Sequence, residues 1–260
     1  MMRSLWISKT GMEAQQSQLD SIAHNLANTG TTGFKRGRAQ FEDLMYQNLR
    51  QAGASSSDQT NLPIGLQVGL GVKTVGVARN FSQGSLQETG NAFDLAVQGN
   101  GFFQVQMPDG STGYTRDGSF KLSAQGQIVT NNGYTVLPAI TIARDATVTV
   151  GRDGTVSVLQ SGQSTPQTVG QFQLASFINP GGLDPRGENL FSETAASGAP
   201  AAGAPDTGGL GSVAQGRLET SNVNVVEELV AMIQTQRAYE INSKAIQAAD
   251  QMLQRLGQMG

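Results

Sequence analysis

A single imidazole, His24, is available for general acid or base work, and Asp20 stands four residues before it. On a helix that spacing puts both on one face, where an ordinary surface pair accounts for them. With no Gly-x-Ser-x-Gly elbow nearby, neither is assigned a catalytic role. The stretch GLQVGLGVKT resembles a phosphate loop, but Val72 occupies the place of the glycine that must precede Lys73, and a dinucleotide fingerprint would need a third glycine. The carboxylates Glu42-Asp43 and Glu227-Glu228 are chain neighbours, which a helix points about 100° apart, so they cannot flank one scissile bond. With no Cys, no second His and no acidic loop of calcium spacing, no metal or other cofactor is expected. Phe102, Phe103, Tyr114 and Phe120 are the residues from which a sugar platform would be built; their places beside turn pairs favour core packing.

Composition points the same way. A formal net charge of -3 offers no basic face for nucleic acid. Only 14% of residues are charged, against about 25% in an ordinary soluble domain, so less of the surface is built for water alone. Near the start, Leu5, Trp6 and Ile7 make too short an apolar run for a cleaved signal or a membrane span, and neither is expected.

The elements that would position any site come next. A helix is predicted from about Ser4 to Asn28, with Leu5, Met12, Leu19 and Leu26 spaced by seven and Ile22 and Ala23 beside them. Gly30 and Gly33 end it. A second helix is predicted from about Val225 to Leu256. Asn224 and Glu227 have capping-box spacing, Glu227 and Glu228 suit the positive end of the dipole, Glu240 and Lys244 pair at i,i+4, and Gly257 follows. Val225, Met232, Tyr239, Ile246 and Leu253 recur at seven, flanked by Val226, Leu229, Ile233, Ile241, Ala245, Ala249, Met252 and Leu256. That stripe is wider than a two-stranded seam needs, and neighbouring copies are its natural cover.

Between the helices lie turn pairs, Asp109-Gly110, Asp117-Gly118, Gln125-Gly126, Asn132-Gly133 and Asp153-Gly154, among strand-forming runs such as FFQVQ and TVSVL. Those pairs supply the positive φ of tight hairpins, so residues 75–195 are expected to form an antiparallel β domain. Residues 51–71, after a possible short amphipathic piece FEDLMYQNLR, are too apolar at Leu62, Ile64, Leu66, Val68 and Leu70 for a solvated linker and are expected to dock. The Gly- and Ala-rich run of 195–211 is expected to be a flexible return. The fold class is α+β: terminal helices (1–30 and 222–260) pairing as a coiled-coil inner domain, an extended segment over 31–74, the β domain over 75–195 and a flexible connector over 196–221.

NLANTGTTGFKR after a heptad helix, with ETSNVNVVEELVAMIQTQRAYEINSKAIQAADQML towards the other end, closely resembles the bacterial flagellar rod and hook family. FEDLMYQNLRQAGASSSDQTNLPIGLQVGLGV resembles the extended stretch of its distal-rod members, and the likeness covers essentially the whole chain. The resemblance implies a subunit of a hollow axle that crosses the periplasm and outer membrane, a helical homo-oligomer without enzymatic activity or small-molecule substrate. It implies proximal rod proteins, the hook protein, the P-ring and L-ring proteins, the rod cap and the type III export machinery as partners, with export without signal cleavage. Inner-tube contacts would fall on Leu5, Met12, Leu19, Ile22 and Leu26, and on Val226, Leu229, Ile233, Ile246, Leu253 and Leu256. The distal-rod segment would present Leu62, Ile64, Leu66, Val68 and Leu70. A proximal rod or hook protein is the alternative within the family, and an extracellular β-rich binding module the alternative outside it.

Overall fold

A computed structural model describes residues 2–50, 55–57, 60–61, 64–143, 146–160, 163 and 165–258; the side chains of Met2, 51–63, Leu253 and Leu256 lie outside that description. Two helices flank a region made mostly of antiparallel strands, as expected. The chain divides into two compact units, neither of them one continuous stretch: Met1–Leu26, Gly37–Ala78 and Asn224–Gly260 form the first, Ala27–Arg36 and Arg79–Val223 the second.

In the first unit, helix α1 spans Met2–Ala27 and helix α2 spans Val225–Gln258. Asn224 caps α2, its Oδ1 accepting from the Val226 N–H at 3.1 Å while its Nδ2 donates to Glu227 at 3.3 Å. Gly257 lies inside α2, because an exposed final turn tolerates a glycine that costs only about 1 kcal/mol relative to Ala. The helices run antiparallel: Asn25 Nδ2 lies 3.4 Å from Glu228 Oε2, and a Cβ on Gly11 would sit 3.1 Å from Asn242 Nδ2. Fourteen positions separate the two contacts on either helix, an advance of about 21 Å.

Within residues 37–79 the described strands pair two by two, in a ribbon of short sheets, where neither helix nor clear strand was expected for much of the stretch. Gly37–Asp43 pairs with Val72–Arg79, Tyr46–Arg50 runs antiparallel to Leu66–Gly69, and Ser55–Ser57 pairs with Thr60–Asn61. Tyr46 covers the Cα of its cross-strand partner Gly69, which has no side chain of its own to pack. The ribbon is tied to α1 at its base. Asn25 uses both ends of its carboxamide on Gly37, donating to the carbonyl at 2.8 Å and accepting from the N–H at 2.9 Å, as a neighbouring strand would.

In the second unit, Phe102–Gln106 is the central strand of the largest sheet, with Thr112–Thr115, Thr135–Leu137 and Leu174–Ser176 pairing along it. Its alternation serves two cores at once. Phe103 and Val105 enter an aliphatic cluster with Leu95, Val136, Val156, Phe172 and Leu174, while Phe102 joins Tyr114, Phe191 and Leu183 on the other face. The aromatics considered for a sugar platform are thus core residues, and Phe103 and Phe120 meet edge to face at 5.1 Å. Gly110, Gly126, Gly133 and Gly154 have positive φ. Gly118 does not, and is a glycine for closeness instead: a Cβ there would fall on the Leu95 carbonyl oxygen.

The stretch expected as a flexible return holds strands at Ala201–Gly203, Ser212–Gln215 and Arg217–Glu219, and the expectation is corrected. Its small residues order the backbone by letting it approach closely. Ser212–Gln215 pairs antiparallel with Leu95–Gln98, Val213 is buried, and Gly211 lies against the Gln98 carbonyl where a Cβ would not fit.

Candidate assembly surface

Among the described residues of the helix pair the buried positions are mostly small or polar: Thr10, Ala14, Asn25, Glu228, Thr235 and Ala249, with Ile22 the one large aliphatic side chain among them. The large apolar residues face outward. Trp6 is 55% exposed, Val226 68%, Ile233 55% and Ile241 66%, with Leu229, Val230, Tyr239 and Met252 also exposed. Each aliphatic side chain left in water forgoes roughly 1.5 to 3 kcal/mol of burial. Val226, Leu229, Val230 and Ile233 stand at i, i+3, i+4 and i+7, along one face of α2.

Of the helix residues singled out from the sequence, Ile22 is buried within the unit. Leu5, Met12, Leu19, Leu26 and Ile246 are half-buried, and Val226, Leu229 and Ile233 are exposed. Leu253 and Leu256 lie on α2 with side chains outside the described residues. The structure therefore places these positions on one helix pair without burying most of them in it. In the ribbon, Ile64 and Leu66 are exposed, Val68 and Leu70 are half-buried, and Leu62 lies outside the described residues. Met45, Leu49, Val75 and Val77, which the sequence reading passed over, add to the exposed apolar surface. Alternation at every second residue was the signal that could have found the ribbon.

An open hollow of about 380 Å³ lies where α1, α2 and the ribbon base meet, lined by Gly11, Ala14, Phe41, Val72, Thr235 and Ala238 among others. Its walls are apolar, carboxamide or, at Thr235, hydroxyl, and none of the lining residues is titratable. His24 is exposed on α1, Asp20 accepts from Gln16 at 3.0 Å, and Glu42 pairs with Lys73 at 3.0 Å. Among the described residues no group of acidic, His or Cys side chains could hold a metal ion, and no helix is long and apolar enough to cross a membrane.

The second unit contains a charged cluster that the sequence reading missed. Lys35 Nζ lies 2.5 Å from Glu219 Oε1, and Arg116 Nη1 lies 3.4 Å from Glu219 Oε2, with all three residues buried. Lys35 also donates to the Ser82 carbonyl, Arg116 to that of Gly99, and the Gly84 N–H to Glu219. Burial lowers the Lys35 ammonium's pKa, opposed by the Glu219 carboxylate beside it. This is a structural clamp, closed off from any substrate. It uses the glycine of TTGFKR: Gly33 has φ of 67°, its N–H donates to the Glu219 carbonyl, and a Cβ there would collide with the Arg116 backbone.

Three family models match the chain: the flagella basal body rod protein over residues 5–35, the flagellar hook protein FlgE/F/G D1 domain over 96–158, and the flagellar basal body rod FlgEFG protein C-terminal over 214–259. The flagellar basal-body rod protein FlgG of Buchnera aphidicola subsp. Acyrthosiphon pisum is 55% identical over 260 residues, covering 100% of both chains. That of Caulobacter vibrioides is 50% identical over 260 residues, covering 99% of each. The flagellar hook protein FlgE of Helicobacter mustelae is 43% identical over 137 residues, covering 52% of this chain and 30% of its own.

Proposed function

The chain belongs to the flagellar basal-body rod protein family, and from that premise we propose that it stacks through its terminal helices into the rigid, hollow distal rod that carries motor torque to the hook. It is a structural component of the flagellar basal body. The observation that supports stacking is the uncovered apolar face of α2, whose Val226, Leu229 and Ile233 find no shelter against α1. Small seam residues bring the two helices together and leave the large side chains for other copies.

On this reading the protein is not an enzyme, and its partners are further copies of itself, proximal rod proteins, the hook protein, the P- and L-ring proteins, the rod cap and the export machinery. Its working place runs from the periplasm to the outer membrane. Concentrating the purified full chain while following sedimentation and electron micrographs tests the proposal. Straight tubes are expected, with Leu229→Glu and Ile233→Glu blocking their growth without lowering the monomer's melting temperature. Persistent monomers at high concentration would refute it.

The ribbon has a role of its own in this reading. Residues 61–70 wedge against neighbouring copies and keep the shaft straight, a role supported by the exposed Ile64 and Leu66 on a two-stranded element that cannot cover them. Deleting the segment is expected to yield flexible or curved assemblies; deletion products that stay straight and stiff would exclude the wedge.

A further inference from the structure

Four peptide links carry the chain out of the β-rich unit, after residues Arg36 and Val223 and before Ala27 and Arg79. Beside three of them, one side chain gathers the backbone. Asn222 Oδ1 accepts from the Arg36 N–H at 2.8 Å, and its Nδ2 lies 2.8 Å from the Asn80 carbonyl and 3.0 Å from that of Ser82. The Asn222 N–H points to the Phe34 carbonyl, and the Asn80 N–H donates to the Arg36 carbonyl at 2.8 Å. A carboxamide is the one side-chain group, shared with Gln, that carries both a two-donor nitrogen and an acceptor oxygen, and here both ends are committed. Immediately behind it, the Lys35–Glu219–Arg116 clamp and the bond from Gly33 to Glu219 tie the same segments a second time.

We infer that Asn222 is a mechanical positioning residue. It bundles residues 33–36, 80–82 and 219–222 so that force entering the unit by one strand is shared by all three. Hydrogen bonds loaded side by side yield together, whereas a single strand carrying the load opens bond by bond. Force that enters at Ala27 and leaves at Val223 must cross the junction that Asn222 closes. Force applied between hairpin tips elsewhere in the unit does not.

The inference takes its purpose from the shaft reading but not its test, which uses monomers. A chain that never polymerises would sink the shaft reading and leave these measurements intact. Because the protein has no native Cys, handles can be placed uniquely, at the two chain ends or at Asp109→Cys and Asn132→Cys on exposed turns of the same unit. At fixed load along the ends, Asn222→Ala is expected to unfold the unit roughly ten- to a hundredfold faster, the effect of losing several hydrogen bonds. Between the two turns the rate is expected to change less than about twofold, those bonds being out of the path. Asn222→Ser keeps a hydroxyl that can donate or accept but cannot span all three partners, so it should fall between, and it carries the test if the alanine variant does not fold. Equal acceleration along both axes would reveal an ordinary loss of stability and overturn the inference, as would no acceleration along the ends.

Discussion

Replacing Glu219 by Gln removes one charge and leaves the shape of the side chain unchanged. In the folded protein that carboxylate lies between Lys35 Nζ and Arg116 Nη1, and the side chains of Lys35 and Glu219 are fully shielded from water. The glutamine oxygen can still accept from the Gly84 N–H, but its amide nitrogen then faces Arg116 Nη1 donor to donor, and two buried cations remain with no anion beside them. Removing one partner of a buried pair costs about 3–5 kcal/mol, and full burial leaves little solvent screening to soften it. For a unit the size of Ala27–Arg36 plus Arg79–Val223, each kcal/mol moves the midpoint by about 2–4 °C, so a fall of about 6–20 °C is expected in a calorimetric melt of the full chain. Replacing all three, Lys35→Met, Arg116→Leu and Glu219→Leu, should recover most of that loss, since apolar residues of similar volume often replace a buried ion cluster at little cost. A Glu219→Gln midpoint within about 2 °C of the parent would mean that water reaches the cluster, refuting the argument from desolvation.

Tyr114, buried and donating to Glu193, has its pKa pushed up to about 12 by burial first and the nearby carboxylate second. Its unfolded value is near 10, so its contribution to stability is complete below about pH 10 and disappears as pH rises through about 12. Phenolate absorbance should show it ionising late, and Tyr114→Phe should abolish that part of the alkaline destabilisation; early ionisation would contradict the assignment. Gly71 has φ of 121° and a Cβ there would clash with Thr10 Oγ1, so Gly71→Ala should weaken the ribbon's seat on α1 by about 1–3 kcal/mol. Faster amide exchange in 37–43 with no change in the melt of the β-rich unit is the expected signature. In dilute monomer the amides of 5–26 and 226–256 should exchange faster than those of the β-rich unit, because few of their described side chains are buried; protection equal to that of the β-rich unit would show that the helices need no further copies.

Heptad spacing announces both helices, and the cap at Asn224 fixes the start of α2, because such signals are local and lie within a few residues of one another. How the helices meet was not legible. The residues that repeat at seven are large, whereas the contacts run through Gly11, Ala14, Asn25 and Thr235, whose smallness or polarity hides them from a search for apolar stripes. Lys35 and Glu219 stand 184 positions apart, and nothing in the neighbourhood of either signals that it will be buried. The ribbon was missed for a related reason. Its strands pair across intervals such as Tyr46 to Gly69, and its alternation was read as greasiness without a period. In 196–221 scarcity of side chains was mistaken for freedom, when it is what lets two backbones touch.

The interleaving of the two units has a consequence for the time course of synthesis. A ribosome releases residues 1–26 and 37–78 long before 224–260, so the first helix and the ribbon must wait, without their partner, for nearly the whole of translation. The other unit waits almost as long, since the strand Arg217–Glu219 and Asn222 just after it are the last of its own to emerge. Folding segment by segment behind the exit tunnel can therefore complete neither unit until its last segment, up to Val223 for one and from Asn224 onward for the other, has emerged.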